Sequence, residues 1–177
     1  VTIGTGIGGG ILTEGRLLTG VRGIAGELGH FPIRADGELC SCGNRGCYEK
    51  YASTTALVNM VRDRADELVP DISADHIDGQ LIFNRVSQGD TALRSVVSEW
   101  ITSITLGLVG LIHIFNPQLV LIGGGVSQQE ELFIEPLREQ ILSYTMPGFC
   151  KDLIIKSAQL GNNAGLLGAV AYLKNLF

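Results

Sequence analysis

The chain is 177 residues long, 45% hydrophobic and 18% charged, with a formal net charge of -5. That length and apolar share suffice for one buried core, so a single domain or one large lobe is expected. The acidic balance and the lack of any Lys/Arg cluster exclude the basic stripe of a nucleic-acid-binding surface.

In chain order, Ile3 to Gly10 is a glycine run, and Ile11-Leu12-Thr13, Glu14-Gly15 and Arg16-Leu17-Leu18 read as a hairpin with a two-residue turn. The glycines therefore sit between strands. A P-loop needs a Gly-Lys-Ser/Thr ending and a dinucleotide fingerprint needs a helix directly after the loop, so neither fits. What remains is a Gly-Thr-Gly turn whose backbone N–H groups and Thr5 hydroxyl could face phosphate oxygens, or simply a tight turn. Val1-Thr2-Ile3-Gly4-Thr5 has no basic or apolar signal segment, so a reducing, cytoplasmic setting is expected. With no initiator methionine and no leading element, the chain reads as the middle of a longer protein.

Thr19 to Gly46 is expected to be extended and loop-like, with Gly29 to Arg34 a strand candidate. A helix is expected from Cys47 or Tyr48 to about Leu68, with Ser53 as N-cap if it breaks there and Pro70 as its stop. Asp71 to Gly79 is turn-like and Gln80 to Gln88 helical. Asp90 caps a long helix from Thr91 to Phe115. The apolar run within it, Ile101 to Phe115, is interrupted by Thr102, Ser103, Thr105 and His113 and is too short to span a bilayer comfortably, so it reads as a buried core helix. Leu119 to Ile122 is a buried strand running into Gly123-Gly124-Gly125. A helix at Gln128 to Ser143, a strand at Leu153 to Lys156 and a helix at Ala164 to Phe177 complete an α/β order with a largely buried sheet. Glycines just past a strand's carboxyl end permit close approach of a purine or ribose, or a tight helix–strand crossing.

The densest chemistry lies between these halves. His30, Cys40, Cys42 and Cys47 put one imidazole and three thiols in a short stretch, a ligand set for tetrahedral Zn²⁺. Four protein ligands leave no open position for metal-bound water, so the zinc is expected to be structural, clamping the loop 30–49. The alternatives are a disulfide or unrelated buried thiols. Cys150 reads as an ordinary thiol.

Taken together, Gly4-Thr5-Gly6-Ile7-Gly8-Gly9-Gly10, Ala25-Gly26-Glu27-Leu28-Gly29-His30, the Cys40-x-Cys42-Gly43-x-x-Gly46-Cys47-x-Glu49 segment and Gly123-Gly124-Gly125 resemble the ROK family of sugar kinases and sugar-responsive repressors. The resemblance covers essentially the whole chain. It implies the actin-like, ribonuclease-H-like ATPase fold, with residues 1–177 forming the larger C-terminal lobe and the N-terminal lobe absent. Gly4, Thr5, Gly6 and Gly8 would form a phosphate-binding loop, and Gly124 and Gly125 the adenosine side. Glu27 and Glu49 would accept hydrogen bonds from sugar hydroxyls, where the residues alone suggest a solvated carboxylate and a helix-terminal charge. His30 would bind zinc through one ring nitrogen and donate toward the sugar through the other.

The implied reaction is transfer of the ATP γ-phosphoryl to a hexose hydroxyl, glucose by first preference, with Mg²⁺ neutralising charge; polyphosphate is the other donor considered. The general base belongs to the missing lobe. Asp36, the nearest aspartate, sits in the Arg34-Ala35-Asp36-Gly37 turn and carries no motif, so this polypeptide alone is expected to be inactive. The alternative function is the sugar-sensing lobe of a repressor of the same family, although the complete phosphate-loop and adenosine-side glycines favour the kinase. A homodimer is expected, the long Thr91 to Phe115 helix offering a self-complementary face.

Overall fold

Two short hairpins open the chain in the computed structural model, which describes residues 1–174. β1 (Thr2–Ile3) pairs antiparallel with β2 (Ile7–Gly8), so Gly4-Thr5-Gly6 forms the turn between them. β3 (Leu12–Thr13) and β4 (Arg16–Leu17) form the second hairpin around Glu14-Gly15, both at positive φ (53° and 74°), the left-handed pair that a two-residue turn requires. The expected helix from Tyr48 to Leu68 is broken into α1 (Glu49–Ala52), α2 (Thr54–Arg62) and α3 (Ala65–Leu68). Ser53 makes the first break: at ψ 161° it leaves the helix, and its hydroxyl accepts the Ala56 N–H as N-cap of α2. α4 (Gly79–Ser87) is capped by Asp78, and α5 (Thr91–Phe115) by Asp90.

Helix α5 is the axis of the core. Its buried stripe of Leu93, Val96, Val97, Trp100, Ile101, Ile104, Leu108 and Ile112 follows helical spacing and packs against α1, α2, α4 and α6 (Glu135–Tyr144). By length and composition this 25-residue helix could cross a membrane. Its apolar stripe is instead committed to the core, as the sequence suggested. Trp100 is fully buried, stacks on Phe133 at 5.1 Å, meets Phe83 edge-on, and donates its indole N–H to the Ser53 carbonyl at 2.9 Å. That bond ties α5 to the cap of α2.

β5 (Leu119–Ile122) pairs parallel with β6 (Ile154–Ser157), and β1 joins the end of β5 through Ile3 N–H to Gly123 O (2.9 Å) and Gly123 N–H to Val1 O (2.8 Å). The bridge between Thr2 and Gly123 links the β1-β2 hairpin to the β5-β6 pair and brings the glycine turn beside the Gly123-Gly124-Gly125 run. Gly124 sits at φ 97°, and a Cβ there would run into the Ile3 carbonyl, so this crossing admits only glycine.

Several boundaries differ from expectation. Gly29 to Arg34 is not a strand; a single bridge between Pro32 and Cys47 is its only ladder contact among the described residues. The expected helix from Gln128 becomes a 3₁₀ turn (Gly125–Gln128), a π turn (Glu130–Ile134) and only then α6, which starts with Pro136 in its first turn. A 3₁₀ turn at Ala74–His76 falls in the stretch expected to be turn-like, and a short α7 (Pro147–Cys150) lies in a stretch for which no element was expected. The last helix is α8 (Ala164–Lys174), and the remainder of its expected range, 175–177, lies outside the described residues.

Candidate functional site

Segments 29–32 and 47–49 run side by side. Tyr48 N–H donates to Phe31 O and Glu49 N–H to Gly29 O, both at 2.9 Å. Between them the chain makes a knuckle in which Gly43 N–H donates to Cys40 O (2.9 Å) and Cys40 N–H to Asn44 O (2.8 Å). Gly46, at φ 73°, turns the chain back so closely that a Cβ would fall on the Arg34 backbone, and this returns Cys47 to the first segment. Tyr48 is then fully buried, its hydroxyl donating to Ile104 O of α5 at 2.8 Å, so burial pushes its phenol up and it stays neutral.

The metal-ligating atoms of His30, Cys40, Cys42 and Cys47 lie within 4.8 Å of one another. Cys42 Sγ is 3.5 Å from Cys47 Sγ, and Cys40 Sγ is 3.6 Å from His30 Nδ1. Zinc–ligand bond lengths give tetrahedral edges of about 3.8 Å between sulfurs and about 3.5 Å between sulfur and nitrogen, so the cluster has the dimensions of a zinc site. All four cysteines are free thiols, which removes the disulfide alternative in this structure. The backbone N–H of Cys42 helps hold the Cys40 thiol down to about 6, whereas burial pushes Cys47 up to about 12. One thiolate is therefore available near neutrality, and the Cys47 sulfur would need a cation to ionise.

With Nδ1 facing the thiols, the Nε2 of His30 faces Glu27, whose Oε2 is 3.9 Å away. Glu27 is exposed. Glu49, at the start of α1, turns its carboxylate to the glycine hairpin, and its Oε2 accepts the Ile7 N–H at 2.9 Å. Thus the imidazole–thiol cluster and the carboxylates Glu27 and Glu49 share one end of the site. Asp36 lies in the turn expected of it, at φ 53°.

Against Gly4 and Thr5 of the same hairpin lies a cleft of about 670 Å³, lined also by Thr54, Thr55, Gly125 and Val126. That volume suits a nucleotide-sized ligand. Thr54 N–H donates to Gly4 O and the Thr55 hydroxyl to Thr5 O, both at 2.8 Å, so the N-terminus of α2 holds the turn from below. Of the predicted residues, Gly4, Thr5 and Gly125 line the cleft. Gly6 and Gly8 instead face side chains, since a Cβ on Gly6 would strike the Glu49 carboxylate and one on Gly8 would lie 2.8 Å from Thr2 Oγ1. Gly124 serves the strand crossing. Sequence reasoning missed Thr54 and Thr55; the signal was the Ser53-Thr54-Thr55 run, a helix start carrying hydroxyls at an anion-friendly N-terminus.

The chain matches the ROK family over residues 1–175. It is 38% identical to a glucokinase of Thermotoga maritima over 98% of this chain and 57% of that protein. It is also 34% identical to a xylose repressor of Caldicellulosiruptor bescii, covering 97% of this chain and 44% of the repressor. Among solved structures, a ROK family glucokinase from Streptomyces griseus in complex with glucose and AMPPNP superimposes with a TM-score of 0.88 at 36% identity, over 97% of this chain and 58% of that one. The chain thus spans about half the length of the curated relatives it matches. The family match and the structural likeness agree with the α/β reading: the chain belongs to the ROK family, whose members have the actin-like ATPase fold.

Proposed function

We propose that this chain is the larger, C-terminal lobe of a glucokinase-like sugar kinase that transfers the γ-phosphoryl group of ATP to a hexose hydroxyl. The observation that carries this reading is the position of the Gly4-Thr5-Gly6 turn: Gly4 and Thr5 line the cleft of about 670 Å³, and Ile7, just past the turn, donates its N–H to Glu49. A phosphoryl donor and a hydroxyl acceptor must meet in line across such a turn, because the reaction depends on positioning and charge stabilisation. The likeness to glucokinases supports the same reading.

In this proposal Glu27, His30 and Glu49 face the sugar. His30 Nε2 carries the proton when Nδ1 ligates a metal, and so donates, while the carboxylates accept. Gly4, Thr5 and Gly125 line the nucleotide cleft, with Gly6, Gly8 and Gly124 giving the turn and the strand crossing their shape. His30, Cys40, Cys42 and Cys47 would hold a structural zinc, which fixes loop 30–49 without an open coordination position. Magnesium-bound ATP would supply the transferable phosphoryl group and the charge neutralisation. No residue of this chain is assigned as the general base. Free thiols accord with a cytoplasmic enzyme. Homodimerisation remains part of the proposal; Leu106, Ile114 and Phe115 of α5 are exposed and could contribute to it.

The full-length protein, incubated with ATP, Mg²⁺ and glucose, mannose or N-acetylated hexosamines in turn, should release ADP with at least one sugar, whereas this chain alone should not. Absence of turnover with every hexose, together with sugar-dependent release from operator DNA, would instead identify a repressor. The repressor reading is kept because xylose repressors match nearly the whole chain.

A further inference from the structure

Glu49 has two oxygens, and they are not equivalent. Oε2 accepts the Ile7 N–H at 2.9 Å, while Oε1 takes no hydrogen bond from any described residue. Two glycines make that contact possible. A Cβ on Gly6 would collide with the Glu49 carboxylate, and a Cβ on Gly29 would lie 2.6 Å from the Ile7 carbonyl oxygen and 3.4 Å from Glu49 Cβ. Gly6, Ile7, Gly29 and Glu49 therefore form one closely packed junction.

The backbone of Glu49 is fixed from several directions. Its N–H donates to Gly29 O, and the adjoining Tyr48 is anchored through its hydroxyl to Ile104 O and through its N–H to Phe31 O. Cys47 packs with its Sγ 3.5 Å from His30 O. The glycine turn has fewer ties: an internal Gly4 N–H to Gly6 O bond of 3.0 Å and the two contacts from Thr54 and Thr55 on the cleft side. On the sugar side, the Ile7 N–H is its side-chain anchor, and a carboxylate makes that bond charge-assisted.

We propose that Glu49 is the positioning residue that couples the two halves of the site: one carboxylate oxygen braces the phosphate turn through Ile7 while the other is left for a sugar hydroxyl. This rests on the sugar-kinase reading and deepens it, because a single side chain would then report sugar occupancy to the nucleotide cleft. Any change in one bond of the carboxylate alters the other, and the resulting coupling is reciprocal. It also gives Gly6 a role different from phosphate contact, that of admitting the carboxylate.

The test uses the zinc-loaded full-length protein with no sugar present, and compares Glu49→Gln, which keeps an acceptor oxygen, with Glu49→Ala, which does not. Two quantities are read: hydrogen–deuterium exchange of the Ile7 amide, and the affinity for AMPPNP. Glu49→Ala should speed Ile7 exchange and weaken AMPPNP binding by about tenfold or more, the loss expected for one charge-assisted hydrogen bond, while Glu49→Gln should keep most of both. Near-UV circular dichroism of the buried Trp100 checks that each variant is folded. If Glu49→Ala leaves Ile7 exchange and sugar-free AMPPNP affinity unchanged, Glu49 does not brace the turn and the proposal is overturned. If exchange alone changes, the brace is structural and the proposed coupling to the nucleotide is overturned. Failure of the kinase reading looks different, since AMPPNP would then not bind the unmodified protein at all, and the coupling would fall with it.

Discussion

The helical half and the knuckle half of this molecule are held by different physics. From α2 to α6, large apolar side chains such as Trp100, Phe133, Leu57, Ile82 and Ile141 are essentially inaccessible, and their packing depends on volume and area removed from water. Between residues 29 and 49, in contrast, the chain has almost no regular structure and is held by turns, positive-φ glycines and a convergence of thiols. The first kind of order tolerates many apolar substitutions of similar size. The second depends on a few geometrically exact contacts around a cluster that could hold a metal, yet it is the one that carries the candidate sugar-binding groups His30 and Glu49.

The largest effect should come from striking the helical half. Trp100→Ala removes a fully buried indole and its hydrogen bond to the Ser53 carbonyl, which keeps only the Leu57 N–H, and should cost about 3–5 kcal/mol. Chemical denaturation should show one cooperative transition at lower denaturant, with the knuckle lost only as the whole unfolds. Gly46→Ala should separate the halves: a left-handed backbone position costs about 1–3 kcal/mol for a side chain, and here the Cβ also meets the Arg34 backbone. Zinc content should fall while far-UV helical signal is kept; equal loss of both would mean the halves are not separable. Asp90→Ala removes the side chain that accepts the Leu93 N–H and should cost about 1 kcal/mol, read as a small shift in melting temperature with zinc content unchanged.

The smallest effect on the fold should come from pH. The Cys40 thiol is held down to about 6, below an ordinary thiol, so the stabilisation from its thiolate is present in alkaline solution and is lost as pH falls through about 6. Zinc retention against a competing chelator should therefore weaken across that interval, with helical content unaffected. Retention that is flat from pH 8 to pH 5 would remove Cys40 from the ligand set.

The helical half was legible because its signals are periodic and local. The α5 stripe, its Asp90 cap, the Ser53 break and the existence of the Leu119–Ile122 strand follow from spacing and capping residues that lie next to the elements they control, but the strand is not buried as expected, since Leu119 and Leu121 are exposed and only Ile122 is buried. The π turn ahead of α6 was not legible, because the Glu130–Ile134 stretch has an ordinary helical composition and its irregularity is a matter of backbone hydrogen bonding. In the knuckle half, the convergence of His30, Cys40, Cys42 and Cys47 could be read from their residue types, whereas the Gly29 to Arg34 stretch looked like a strand although it finds almost no ladder partner. The Glu49 contact to Ile7 and the Thr55 contact to Thr5 join residues 42 and 50 positions apart, and only the three-dimensional arrangement could reveal them.

The most direct test of the account is elemental analysis of the purified, tag-free protein under reducing conditions, combined with a count of reactive thiols. The account predicts one zinc per chain, with Cys40, Cys42 and Cys47 unreactive until the metal is chelated, after which residues 30–49 exchange their amides faster while α5 does not. A chain with no zinc and three freely reactive thiols in that segment would contradict it, and would leave Glu27, His30 and Glu49 on a loop with nothing to hold them toward a sugar.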